Sequence, residues 1–162
     1  APFHRTDADG ANMQIHGNLG FAELTSITSY ETLHRREYND WDASRYALAG
    51  TYFDTSARVF QQEVRLASNG DDPFSWMIGA YYGHQAMNER FDSDFADSLG
   101  LATDTRYRQH VETEAVFTQE EYKITDQLKV IGGLRYDDDK RSLGDFTPLI
   151  TGMASHSSAK VA

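Results

Sequence analysis

From Leu128 to Asp138 the chain alternates, with Ile131 the one apolar side chain on the mostly charged phase. Leu128, Val130, Gly132, Leu134 and Tyr136 occupy one phase, and Lys129, Ile131, Gly133, Arg135 and Asp137 the other. A two-residue period belongs to a β-strand with one apolar and one mostly charged face, not to an amphipathic helix, whose apolar positions recur every three or four residues. Ser56 to Ser68 repeats the pattern, with Phe60, Gln62, Val64 and Leu66 against Gln61, Glu63 and Arg65; Gln62 is the misfit on the apolar phase.

Three further runs carry the same signal less cleanly. Between Phe74 and Phe91 the apolar phase is Phe74, Trp76, Ile78, Ala80 and Tyr82, blurred by Met77 and Tyr81. Between Gln109 and Lys123, Val111, Thr113, Ala115 and Phe117 share a phase that Tyr122 then leaves, which predicts a bulge or a strand end near Gln119. Phe21 to Tyr38 sets Leu24, Ser26, Thr28 and Tyr30 against Ile27 and Leu33, and its β-branched and aromatic content predicts a strand. Several runs exceed the roughly five or six residues usual in soluble domains. They match the roughly 9 to 11 residues that a tilted strand needs to cross a bilayer. No segment offers an amphipathic helix, and no apolar run approaches the roughly 18 residues of a membrane helix.

The connections are sorted by length. Gly17 to Gly20, Asn69 to Pro73 and Ile124 to Gln127 are compact turn signals, whereas Asn39 to Thr55, Asp92 to Arg108 and Ser142 to the end are long, polar and aperiodic. In an antiparallel up-and-down sheet this order puts the tight turns at one end and the long loops at the other, as in outer-membrane barrels. The fold expected is therefore all-β: an antiparallel up-and-down sheet of about six strands of the transmembrane β-barrel kind, which the resemblance described below implies is a slice of such a barrel. Aromatic residues fit it, since Phe74 and Trp76 follow one tight turn and Tyr122 precedes another, where an interfacial girdle would lie.

Composition narrows the function. A formal charge of −10 and the lack of a clustered basic face argue against nucleic acid as a partner. With no cysteine there is neither a disulfide nor a thiolate metal site. The chain starts at Ala1 without a leader-like segment, which reads as a processed chain or a cut from a longer one.

The run Phe60 to Ser68, its short turn, and Trp76 with Gly79-Ala80-Tyr81-Tyr82 resemble the β-barrel of TonB-dependent receptors. So do Ala115-Val116-Phe117, Tyr122 to Leu128 and Gly133-Leu134-Arg135-Tyr136, while Leu24 to Tyr30 looks like the rising strand before them. The resemblance runs in the family's order across most of 24 to 136. It implies an outer-membrane transporter for a scarce ligand such as a ferric siderophore, cobalamin or a carbohydrate, energised by TonB through an N-terminal plug. Six visible strands against about 22 in the largest such barrels, with no plug-like segment and a C-terminus, Lys160-Val161-Ala162, lacking the terminal aromatic strand, imply that residues 1–162 are a partial barrel domain. Its implied partners are outer-membrane lipid, the missing plug and remaining strands, TonB acting through that plug, and a small-molecule ligand, with no cofactor and no nucleic acid.

Other chemistry reads weakly. The six histidines show no metal-ligand spacing. Asp137-Asp138-Asp139, and Asp92 and Asp94 with Asp97, suggest Ca²⁺ on paper but read as solvated carboxylates at loop-side strand ends. Glu112, Glu114, Glu120 and Glu121 could be drawn as a hydrolytic pair, yet no nucleophile or pocket accompanies them, and no enzyme is expected. Gly79 and Gly83, spaced like a helix-dimer motif, instead make room for neighbouring side chains in a strand.

The facing expected is definite. Gln61, Glu63, Arg65, Lys129, Arg135 and Asp137 face the lumen or plug, and Phe60, Val64, Leu66, Trp76, Ile78, Leu128, Val130 and Leu134 face lipid. Catalytic, cofactor and metal residues are expected to be none. Ligand contacts are expected within Asn39 to Thr55 and Asp92 to Arg108, without individual residues. Two other classes compete. A complete barrel of about eight strands would close onto its first strand; a soluble β-sandwich binding module would show two stacked sheets over a dry core.

Overall fold

The computed structural model describes residues 2–41, 49–70, 72–94 and 102–151, with side chains described for all of these except 102 and 146–151. Six strands follow one another: β1 (Phe3–Asn18), β2 (Ala22–Asp40), β3 (Gly50–Ser68), β4 (Phe74–Ser93), β5 (Ala102–Thr125) and β6 (Leu128–Thr151). They form one antiparallel sheet in the order β1-β2-β3-β4-β5-β6. Among the described residues β1 does not pair with β6, so the sheet is open and not a closed small barrel.

There is no second layer. The buried hydrophobic residues among those described are Ala22 and Ala115, while Leu134 and Tyr136 are 78% and 70% exposed. A soluble sandwich would hide such side chains between two sheets; here both faces of one sheet are open.

The tight turns lie at one end, between β1 and β2, β3 and β4, and β5 and β6. Gly20 (φ 88°) and Gly70 (φ 99°) take the left-handed conformation that the first two of these turns require and that a Cβ disfavours. In the third, the Thr125 hydroxyl accepts from the Gln127 and Leu128 amides at 3.3 and 3.1 Å.

The strands run further into the long connections than periodicity predicts: β2 reaches Asp40, β3 starts at Gly50, β4 reaches Ser93 and β6 reaches Thr151. In these extensions the apolar phase fades while the hydrogen-bond ladder continues.

One expectation is overturned. β4 and β5 stay in unbroken register past Gln119, which pairs with Met77, so neither a bulge nor a strand end lies there. Against β6 the shifts fall between Arg106 and Arg108 and between Lys123 and Thr125. Tyr122 is in phase with Val116, which pairs with Ala80 and Tyr136; the phase of Val111, Ala115 and Phe117 is the opposite face.

Candidate functional site

Side chains that pair across antiparallel strands share a face, so the register sorts every strand residue onto one of two surfaces. On one surface, Gly17, Leu24, Leu66, Ile78, Thr118 and Leu134 form a continuous row. The next row toward the long loops is Ile15, Ser26, Val64, Ala80, Val116 and Tyr136. All eight residues expected to face lipid lie on this surface, and all six expected to face the lumen lie on the other. The first surface is termed outward here.

Aromatic rings bound the apolar band. Phe74, Tyr122 and Val130 form its row at the tight-turn end. At the other end stand Tyr30 and its partner Phe60, then Tyr82, whose ring centroid is 6.3 Å from that of Phe60, then Tyr136. This upper margin slants. Tyr136 sits four residues before Lys140, the β6 member of the row that starts at Tyr30, so the margin drops by about one residue per strand. Strands about 4.8 Å apart and tilted by about 40° cross a level membrane plane with an offset of about 4 Å per strand, a little over one residue. The slant is thus what a tilted barrel wall requires and what a flat soluble sheet does not.

The band is thinnest on β5, where Glu120 lies outward between Thr118 and Tyr122. The Thr118 hydroxyl donates to it at 2.5 Å, and its cross-strand partner is Trp76, at the tight-turn margin.

The inward surface is polar and self-paired. Arg65 pairs with Glu63, Arg135 with Asp137 at 2.8 Å and Lys129 with Glu121 at 2.9 Å. The Arg135 guanidinium also lies 5.5 Å from the Phe117 ring centroid and 5.9 Å from that of Tyr81. Two glycines admit these rings, as expected of them: Phe117 lies where a Cβ on Gly79 would be, and the Tyr81 hydroxyl crowds the same position on Gly83.

Beyond the apolar band, the inward surface carries a second polar group. Glu89 accepts from the Tyr107 hydroxyl at 2.7 Å and from the Thr55 hydroxyl at 3.1 Å, while Phe53 and Phe91 pack at 4.9 Å. Desolvation, then the Glu89 carboxylate, pushes the Tyr107 phenol up to about 12. The hydrogen bond from Arg106, then the charge of Arg90, holds the outward Asp104 carboxyl below its usual range. Sequence reasoning missed the Thr55, Glu89 and Tyr107 cluster, because it spans three strands and has no local spacing.

The Asp137-Asp138-Asp139 triplet does not assemble into an ion site. Asp137 and Asp139 point inward to Arg135 and Arg141, while Asp138 points outward to Lys140. Strand alternation therefore divides the triplet, which cannot close on one Ca²⁺. Asp97 of the other acidic set lies outside the described residues, as do 42–48 and 95–101 of the expected ligand-contact segments. No group of three or more metal-ligating side chains occurs among the described residues. Of the glutamates, Glu121 points inward to Lys129, and Glu112 and Glu114 are separated from Glu120 by the outward Val116 and Thr118.

Comparison with known proteins agrees with this geometry. No curated protein sequence matches the chain. Among solved structures, the ferric yersiniabactin uptake receptor FyuA from Yersinia pestis superposes with a TM-score of 0.84 at 17% sequence identity, covering 99% of this chain and 24% of that one. The chain thus spans about a quarter of that receptor. The family model for the TonB dependent receptor-like β-barrel matches residues 1–158, and the chain belongs to that family.

Proposed function

We propose that this chain is part of the barrel wall of an outer-membrane receptor that imports a scarce ligand with energy delivered through TonB. The apolar band between two aromatic margins carries the reading, because a tilted wall in a bilayer needs the slant that its loop-side margin shows. The remaining strands and the plug are supplied by parts of the receptor other than these six strands, and the inward ion pairs face that plug or the lumen. The cargo is a ferric siderophore or a similar iron complex. Support for iron comes from the similarity to a receptor described as taking up ferric yersiniabactin. The family is one of transporters, so no reaction is assigned to the glutamates.

Uptake by cells lacking the receptor tests this directly. Disrupting its gene should abolish uptake of at least one radiolabelled ferric siderophore, with restoration by a plasmid copy only in cells that retain TonB. Unchanged uptake of every ferric complex, with loss of cobalamin or carbohydrate uptake, would overturn the assignment of iron.

A further inference from the structure

Toward the long loops the inward surface changes character. Beyond its ion-paired belt, two adjacent rows bring Leu33, Ala57, Val59, Met87, Val111 and Leu143 together, with the neutral Gln85 and Gln109 between them. All six are half-buried, and no described strand packs over them. Barrel interiors are polar, and an apolar patch that faces a wet space marks a surface that something covers. Val59 adjoins Phe60 on β3, so the strip begins level with the loop-side aromatic margin and lies on the side from which cargo enters.

The charges around this strip are one-sided. Its inward arginines are already neutralised, Arg35 by Glu37 and Arg141 by Asp139 at 3.8 Å. Glu31, paired with Val59 inside the strip, and Glu89, two residues past Met87, have no cationic partner among the described residues. The one other described inward group on the loop side able to carry positive charge is His4, at the far end of β1 and 3.2 Å from the Thr6 hydroxyl. Past Glu89 the lining turns apolar again at Phe53 and Phe91, whose rings are 4.9 Å apart.

We propose that this wall selects its cargo by charge and by periphery: an iron complex with an apolar outer shell and a neutral or positive net charge, not a polyanionic one. The strip supplies apolar area for the shell, and Glu31 and Glu89 supply the sign. A polyanionic complex would meet two carboxylates without a free guanidinium to offset them, and each such exposed charge changes affinity by about twofold to fivefold. A cationic complex gains where the anionic one loses, and a neutral one is indifferent to both carboxylates.

This inference rests on the reading of the chain as part of a receptor for iron complexes, and its test keeps the two apart. The full receptor is reconstituted in nanodiscs, and calorimetry measures binding of three iron(III) complexes: a trishydroxamate with a free ammonium arm, the same compound acetylated on that amine, and a trianionic triscatecholate. The intact receptor should bind the first two and hold the triscatecholate about tenfold more weakly. Glu31→Gln and Glu89→Gln should each weaken the cationic complex by about twofold to fivefold and leave the neutral one unchanged. Val59→Asn should weaken both. Tightest binding of the triscatecholate, equal losses for the cationic and neutral complexes in the glutamine variants, or no effect of Val59→Asn, as expected if the plug covers the strip, would each overturn the inference while leaving iron as the cargo. Binding of none of the three, with binding of cobalamin or an oligosaccharide, would overturn both.

Discussion

Thr28 and Gln62 face each other across β2 and β3 on the outward surface, the Thr28 hydroxyl donating to Gln62 Oε1 at 2.5 Å, while Gln62 Nε2 donates to the Ser26 hydroxyl at 3.0 Å. Gln62 breaks the apolar phase of β3 because it belongs to a cross-strand polar set lying one row inside the aromatic margin marked by Phe60.

That set makes a prediction about paired substitutions. Gln62→Leu alone leaves two hydroxyls in the band without their partner and should cost about 1 kcal/mol of folding stability in bilayers, whereas Gln62→Leu with Thr28→Val should recover most of it. Urea unfolding of the receptor in lipid vesicles reads both values. Additive losses would show that the two side chains are not coupled.

The facing of β4 sets neighbours against each other. Ile78, outward in the middle of the band, pairs with Leu66 and Thr118, while Met77 is inward. Ile78→Lys should therefore cost about 2 to 4 kcal/mol and Met77→Lys well under half of that. Equal costs in the same vesicle assay would reject the assignment of faces.

On the inward side, Phe117 occupies the space a Gly79 side chain would take. Gly79→Val should destabilise by about 1 to 3 kcal/mol through overpacking, and combining it with Phe117→Ala should restore much of that loss. A Gly79→Val penalty unchanged by removing the ring would mean that the close approach is not what holds residue 79 to glycine.

Tyr107 supplies a pH dependence with a definite sign. Its phenol lies beyond the apolar band, and its pKa is raised from 10.0 to about 12. A raised folded pKa means that the protonated form is favoured by folding, so this contribution is complete below pH 10 and is lost as pH rises through about 12. Absorbance titration near 295 nm should show a late phenolate component that Tyr107→Phe removes. A Tyr107→Phe difference curve centred near 10 would refute the shift.

Much of this wall was legible in the sequence, for reasons that differ by strand. β3 and β6 were readable because Phe60 to Leu66 and Leu128 to Tyr136 carry an apolar face and a mostly polar one, which writes a two-residue period into the chain. β5 was less readable because its inward phase holds Val111, Ala115 and Phe117 while its outward phase carries Glu112, Glu114 and Glu120, so hydropathy alone does not mark the outward face. Only pairing with Ala80 and Tyr136 identifies Val116 as outward.

Because β5 is the strand on which hydropathy and register disagree, it offers the most direct test of a tilted membrane wall. Nitroxide labels placed singly from Ala115 to Tyr122 in the reconstituted receptor would be scanned for collision with oxygen, which concentrates in lipid, and with a water-soluble nickel chelate. The account predicts oxygen maxima at 116, 118 and 122 and nickel maxima at 117, 119 and 121. Oxygen maxima at 115 and 117 would contradict it.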